Sequence, residues 1–135
     1  MAIDGLITVR SHVGPTQTAD RLKAELQARG LTLFARIDHA AGAAGAGLAL
    51  RPTELFIFGN AKGGTPLMQA AQTIGIDLPL KALVWQDEAG VCWFSYNDPA
   101  WLAERHGVAE ATRQVAANMA ALLGAIANAV TAGAA

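Results

Sequence analysis

The run Gly59-Asn60-Ala61-Lys62-Gly63-Gly64-Thr65-Pro66 gathers the densest set of groups able to meet a ligand. Thr65 reads as a helix cap and Pro66 as a first-turn residue, so a helix is expected to start there. Backbone N–H groups unpaired at a helix start, together with the positive end of its dipole, attract anions. Lys62 would add charge, while the Asn60 side chain and the amides of Gly63, Gly64 and Thr65 would supply donors. The lysine precedes the glycine pair, whereas in a P-loop it follows the last glycine, so nucleotide hydrolysis is not indicated. The competing reading is structural: the glycines let a crowded turn close, and Thr65-Pro66 is an ordinary helix entry.

Asp38-His39 stands at a strand exit and offers a second chemistry, with His39 as general acid or base and Asp38 orienting it. Neighbours on a strand point to opposite faces, so the pair needs a bend; otherwise Asp38 caps the next segment and His39 faces solvent. His12, His39, His106 and Cys92 would suffice in number for a metal, but no two have the i, i+3 or i, i+4 spacing of a helical site, and no metal is expected. Ser11 and Ser95 are the only serines and neither lies in a Gly-x-Ser-x-Gly turn, so a hydrolase elbow is absent. Arg51 and Tyr96 complete the candidates, as groups that could orient a bound molecule.

A chain of 135 residues has the length of one domain. Its net charge of -1 gives no footprint for a polyanion, so nucleic acid is not expected as a partner. With Cys92 alone, an intramolecular disulfide is impossible and a reducing, cytoplasmic compartment fits. Asp4 occupies the place where a secretory signal carries basic residues, so export is not expected.

Alternation over residues 5–11 and 31–38 predicts two strands, separated by a helix that Thr16 or Thr18 can cap and Gly30 ends. Residues 40–47 are alanine and glycine, read as a mobile loop or a fraying helical turn. Leu55, Phe56, Ile57 and Phe58 form an apolar run without alternation, the pattern of a strand covered on both faces and therefore central. Strands at 81–87 and 91–97 are joined by Glu88-Ala89-Gly90, a short helix follows Asp98-Pro99, and a long Ala-rich helix runs from Val108 to about Val130. Seven of the eight aromatic residues fall between Phe56 and Trp101, so one sheet face could wall an apolar cavity. After Arg113 no charged residue occurs, yet Gln114, Asn118 and Asn128 weaken a membrane reading, and packing on the sheet or on a second subunit is expected instead. The order of elements points to an α+β fold with a mainly antiparallel sheet.

Asp38-His39, Arg51-Pro52, Phe58-Gly59-Asn60, Gly64-Thr65-Pro66-Leu67-Met68, Asp77-Leu78-Pro79, Tyr96-Asn97-Asp98-Pro99 and Arg105-His106 together resemble the domain-of-unknown-function family 302, DUF302. The likeness spans roughly residues 5 to 107 and implies a curved five-stranded sheet like that of the TATA-box-binding protein, in the order β-α-β(4)-α with the Thr65 helix inserted. It implies a dimer in many members and no established activity or cofactor. Residues 1–107 are thus expected as the α+β domain and 108–135 as a helical extension packed on it or on a second subunit. The functional expectation is a module binding a small anionic or polar molecule in a cleft beside residues 59–65. The alternatives are an enzyme using His39 and an interaction module that dimerises through the C-terminal helix.

Overall fold

The computed structural model describes residues 2–133; residues 1 and 134–135, the outer ends of the two expected segments, lie outside the described residues. Strands β1 (Leu6–Ser11), β2 (Thr32–Asp38), β3 (Thr53–Gly59), β4 (Leu80–Gln86) and β5 (Cys92–Asn97) form one sheet in the order β1-β5-β4-β3-β2. Every neighbouring pair is antiparallel. Helix α1 (Pro15–Ala28) carries the chain from one edge strand to the other, and β2 to β5 then return as a meander until β5 closes on β1. The α+β class, the five strands and the C-terminal helix agree with the sequence reading.

Helices cover one face of the sheet. Alternate residues Phe56 and Phe58 of β3, Ala82 and Val84 of β4, and Phe94 and Tyr96 of β5 are buried there against Leu22 and Leu26 of α1 and against Leu123, Ile126 and Val130 of α5 (Arg113–Thr131). Period-2 side chains on strands and a period-3.6 stripe on helices put these groups on one side. Helix α5 has the length and mean hydropathy, 1.3, of a membrane span, and its apolar stripe packs on α1, α3 (Ala61–Ala70), α4 (Pro99–Arg105) and β1 of its own domain.

Three local expectations change. The helix expected to be capped by Thr65 starts five residues earlier: α3 spans Ala61–Ala70, with Asn60 as cap and Pro66 inside it. Asn60 wins because its side-chain oxygen reaches the Gly63 amide, which threonine at position 65 has no free helix start to do. In α1 the cap is Gly14 with Pro15 in the first turn, and neither Thr16 nor Thr18 serves. Thr18 is instead fully buried, its hydroxyl bonded to the Gly14 carbonyl at 2.9 Å and to Ser11 Oγ at 2.6 Å. Of the two readings of residues 40–47 the helical one holds, as more than a fraying turn: residues 39–45 form a short helix, α2 (His39–Gly45), because Asp38 accepts the Ala41 amide at 2.9 Å and caps it. A 3-10 turn, Gln72–Asp77, follows α3 and was not foreseen.

Candidate functional site

The candidate ligand residues do not converge. Asn60, Lys62, Gly63, Gly64 and Thr65 stand at the C-terminal end of β3, where Gly59 pairs with Thr32. Asp38, His39 and Arg51 stand at the other end, where Asp38 pairs with Glu54, about 20 Å away over six strand steps. Tyr96 is buried at mid-sheet, 6% exposed, its ring 6.0 Å from that of Phe94. Burial raises the Tyr96 phenol's pKa, with the Asp98 charge adding to the shift. Arg51 reaches back over its own hairpin to the Gln86 carbonyl at 3.3 Å. His39 is the exposed first residue of α2, and Asp38, spent on the helix cap, does not orient it.

The glycine pair plays a different part from the one expected. Gly63 N–H already donates to Asn60 Oδ1 at 2.7 Å, and Gly64 N–H to the Asn60 carbonyl at 3.2 Å. Their amides are engaged, so they do not form the expected cradle. Among the described residues the α3 amides without a hydrogen bond at its start are those of Ala61 and Lys62. What Gly63 and Gly64 supply is space. A Cβ on Gly64 would stand 3.6 Å from Leu78 Cδ1 and 3.8 Å from Met68 Cε, and one on Gly63 would press on the capping Asn60 Oδ1 at 3.2 Å and stand 3.7 Å from Met119 Cε. The missing side chains leave a cleft of about 310 Å³ between α3, α5, the 3-10 turn and the start of β2.

Met68, Met119, Leu78, Leu122 and Phe34 give that cleft an apolar lining, and Phe34 is 56% exposed at its mouth beside the β2 irregularity between Leu33 and Ala35. Asn60 and Thr65 are its polar side chains, and Lys62 lies outside the lining. Methionine is flexible and polarizable, so two of them make walls that reshape around a guest. Helix α3 is itself weak: two interior glycines and Pro66 cost about 1 kcal/mol and about 3 kcal/mol each relative to alanine. Its place is held by the Asn60 cap and by Leu67, which is 2% exposed.

A second, polar groove of about 460 Å³ lies at the far end of β2 and β3. Arg36 there donates to both Glu54 carboxylate oxygens, through Nε and Nη2, and sits 4.9 Å above the Phe56 ring. The Glu54 hydrogen bond raises the Arg36 pKa. Arg36 and Glu54 neutralise each other, and Asp38 leaves the groove with one net negative charge, spent on the Ala41 amide.

One cluster escaped the sequence reading. Asp77, at the end of the 3-10 turn, accepts Arg105 Nη1 on both carboxylate oxygens, at 2.8 and 2.9 Å, and meets His106 Nε2 at 2.6 Å. The other ring nitrogen of His106, Nδ1, lies 2.8 Å from Thr73 Oγ1. Asp77 and Arg105-His106 had stood out as signatures, but 29 residues separate Asp77 from His106 and no spacing rule joins them. Among the described residues no group of three or more His, Cys, Asp or Glu gathers to hold a metal ion.

Comparison with known proteins adds the family. The chain is 52% identical over 104 residues to the "Fluoride-specific ion channel FluC 1" of Brucella suis biovar 1 (strain 1330), covering 77% of this chain and 41% of that protein. The "Fluoride-specific ion channel FluC 2" of Brucella melitensis biotype 1 (strain ATCC 23456 / CCUG 17765 / NCTC 10094 / 16M) is also 52% identical over 104 residues, 77% of this chain and 38% of that one. The chain therefore spans about two fifths of the length of these curated relatives. Among solved structures, the crystal structure of an uncharacterized conserved protein DUF302 from Bacillus stearothermophilus superposes with a TM-score of 0.84 at 20% identity, over 95% of this chain and 99% of that one. The family model described as "Domain of unknown function DUF302" matches residues 7–126, running well past the domain boundary expected at residue 107 and taking in most of α5. With that match over most of its length, the chain belongs to the DUF302 family.

Proposed function

We propose that this domain binds a small molecule with an apolar body and one polar or anionic group, seated in the cleft between α3 and α5. The observation that carries the reading is the Gly63-Gly64 face of α3, bare backbone kept at a cost in helix stability where a side chain well beyond alanine in size would reach into the cleft. A volume of about 310 Å³ falls at the small end of ligand pockets, which are lined mainly by apolar groups with a few polar ones. The Asn60 and Thr65 side chains, with the Ala61 and Lys62 amides at the helix start, would hold the polar end. This narrows the expected guest from any small anion to an amphipathic one. Because the curated relatives are named fluoride-specific ion channels, fluoride belongs among the anions tested. A cytoplasmic setting is part of the same proposal, consistent with the single, buried and unpaired Cys92.

The test is thermal shift and calorimetry with octanoate, octanol, phosphate and fluoride on the wild type and on Gly64→Leu. Octanoate is expected to stabilise the wild type most and to lose its effect in the variant. Equal responses of the two proteins to octanoate, or a wild type indifferent to it, would sink the reading.

A homodimer is the second reading, favoured by the sheet face that no helix covers. Its outward residues include an apolar patch on three strands, Ala35 and Ile37 of β2, Leu55 and Ile57 of β3, and Leu83 and Trp85 of β4, bordered by Lys81 of β4 and by polar residues such as Ser95 of β5 and Arg10 of β1. The ring of Trp85 stacks 6.2 Å from that of Trp93, and its indole N–H is satisfied by Ser95 Oγ at 2.9 Å, so the largest side chain of the patch brings no unpaired polar atom to it. Five strands at about 4.8 Å by about six residues at about 3.4 Å make a face of about 500 Å². Two copies meeting there would bury about 1,000 Å², the lower bound for a stable pair. The C-terminal helix, expected as the dimer element, has its apolar stripe inside its own domain. Sedimentation of the wild type and Leu83→Glu decides it: a dimer that the substitution dissociates supports the sheet interface, and a wild-type monomer excludes it.

A further inference from the structure

We propose that Thr73, His106 and Asp77 form a hydrolytic site for small acyl esters, with Thr73 as nucleophile, His106 as general base and Asp77 as its positioning residue. A nucleophilic hydroxyl is weak until a base within hydrogen-bond reach takes its proton, and the base needs a third group to fix its tautomer. All three conditions are met by side chains from two elements. His106 Nε2–H donates to Asp77 Oδ2 at 2.6 Å, which leaves Nδ1 as the acceptor for the Thr73 hydroxyl at 2.8 Å. Asp77 is held in turn by Arg105 Nη1 on both oxygens, so the carboxylate cannot swing away from the ring. Burial grades in the useful direction. The His106 and Asp77 side chains are 9% and 15% exposed, whereas Thr73 lies exposed on the outside of the 3-10 turn, open to a carbonyl arriving from solvent.

In the acylation step Thr73 Oγ1 attacks the ester carbonyl carbon as its proton passes to His106 Nδ1. The bond to the leaving oxygen then breaks, and that oxygen takes the proton from His106; where it departs as a stable anion, His106 gives the proton to bulk water instead, so the ring is neutral again before the next step. Water next attacks the acyl-threonine, giving one proton to His106, which returns it to Thr73 Oγ1 as the acid leaves. The sum is ester plus water to acid plus alcohol, with no other reactant. An open hydroxyl with no enclosing pocket suits short acyl groups and selects weakly among leaving groups.

The proposal stands apart from the cleft, since Thr73 is not among its lining residues. Its test uses the full chain with p-nitrophenyl acetate, following nitrophenolate release and mapping the acetyl group by mass spectrometry. Acetyl is expected on Thr73, Thr73→Ser should keep turnover, and Thr73→Ala should lose about a hundredfold or more. Thr73→Ala leaves the His106–Asp77 contact in place, so a purely structural clamp between the 3-10 turn and α4 would not change the rate. Hydrolysis by Thr73→Ala equal to that of the wild type, or acetyl found on any other residue, overturns the assignment.

Discussion

Asn60 and Gly63 are joined by a 2.7 Å hydrogen bond from the Gly63 amide to the Asn60 side-chain oxygen, and that bond sets where α3 begins. Because α3 carries two interior glycines and a proline, it has little intrinsic tendency to form and leans on its cap. Asn60→Ala is expected to lower unfolding stability by about 1 kcal/mol. Asn60→Asp should keep most of it, since a carboxylate caps equally well. Urea unfolding of the three proteins checks the order; an alanine variant as stable as the wild type would show that α3 is held by packing alone.

Two glycines should respond oppositely to alanine. At Gly64 an added Cβ finds only ordinary contacts, at 3.6 and 3.8 Å, and the helix gains propensity. Gly64→Ala is therefore expected to stabilise by about 0.5–1 kcal/mol. Gly5 has φ +76 and its Cβ would fall 2.3 Å from Trp101 Cδ2, so Gly5→Ala forces both a left-handed alanine and displacement of the indole. A loss of about 2 kcal/mol or more is expected, read as a lower melting temperature.

Acid stability should depend on Asp87. Its carboxylate accepts the Trp93 indole N–H, and then the Val91 and Ala89 amides, each at 2.9 Å. The Trp93 hydrogen bond first, and the Val91 amide second, lower its pKa in the folded state. A carboxylate whose folded pKa is depressed stabilises above its unfolded value and loses that contribution as pH falls through the folded one. Asp87→Asn should thus be less stable than the wild type at neutral pH, with the gap closing in acid. A gap that stays constant with pH would show that the carboxylate's charge is irrelevant to the β4–β5 hairpin.

Alkaline stability should depend on Tyr96. Burial disfavours its phenolate and raises its folded pKa, so the stabilisation is complete below the unfolded value and drains away as pH climbs through the folded one. Tyr96→Phe removes this linkage. The variant is expected to melt at a temperature less sensitive to alkali than the wild type does, and parallel melting curves for the two proteins would refute that.

Much of the fold was legible in the chain because it is governed by local rules. Alternating residues at 31–38, the Gly30 stop, the Asp98-Pro99 entry and the helical stripe through Met119, Leu123, Ile126 and Val130 each act within a few residues, and each appears where expected. The apolar run Leu55 to Phe58 is a strand, as expected, but the cover expected on both its faces is not there: helices pack on one face only, and β3 lies next to the β2 edge. What misled was competition between equally plausible caps. Thr65, Thr16 and Thr18 all suit a helix start, but Asn60 and Gly14 lie at the turns the tertiary fold provides.

The sequence by itself determined the α+β class, the five strands and a few helix boundaries, the Gly30 stop and the Asp98-Pro99 entry among them, since periodicity and capping are short-range effects; the long helix expected from Val108 begins only at Arg113. Tertiary structure alone decided which chemistry meets. It separated Arg51 and Asp38-His39 from Lys62 by the length of a strand, turned Gly63 and Gly64 from anion donors into the bare wall of a cleft, and brought Asp77 and Thr73 onto His106. Such meetings depend on where α4 and the 3-10 turn dock in space. Docking is set by the summed burial of the whole core, which no spacing between two residues encodes.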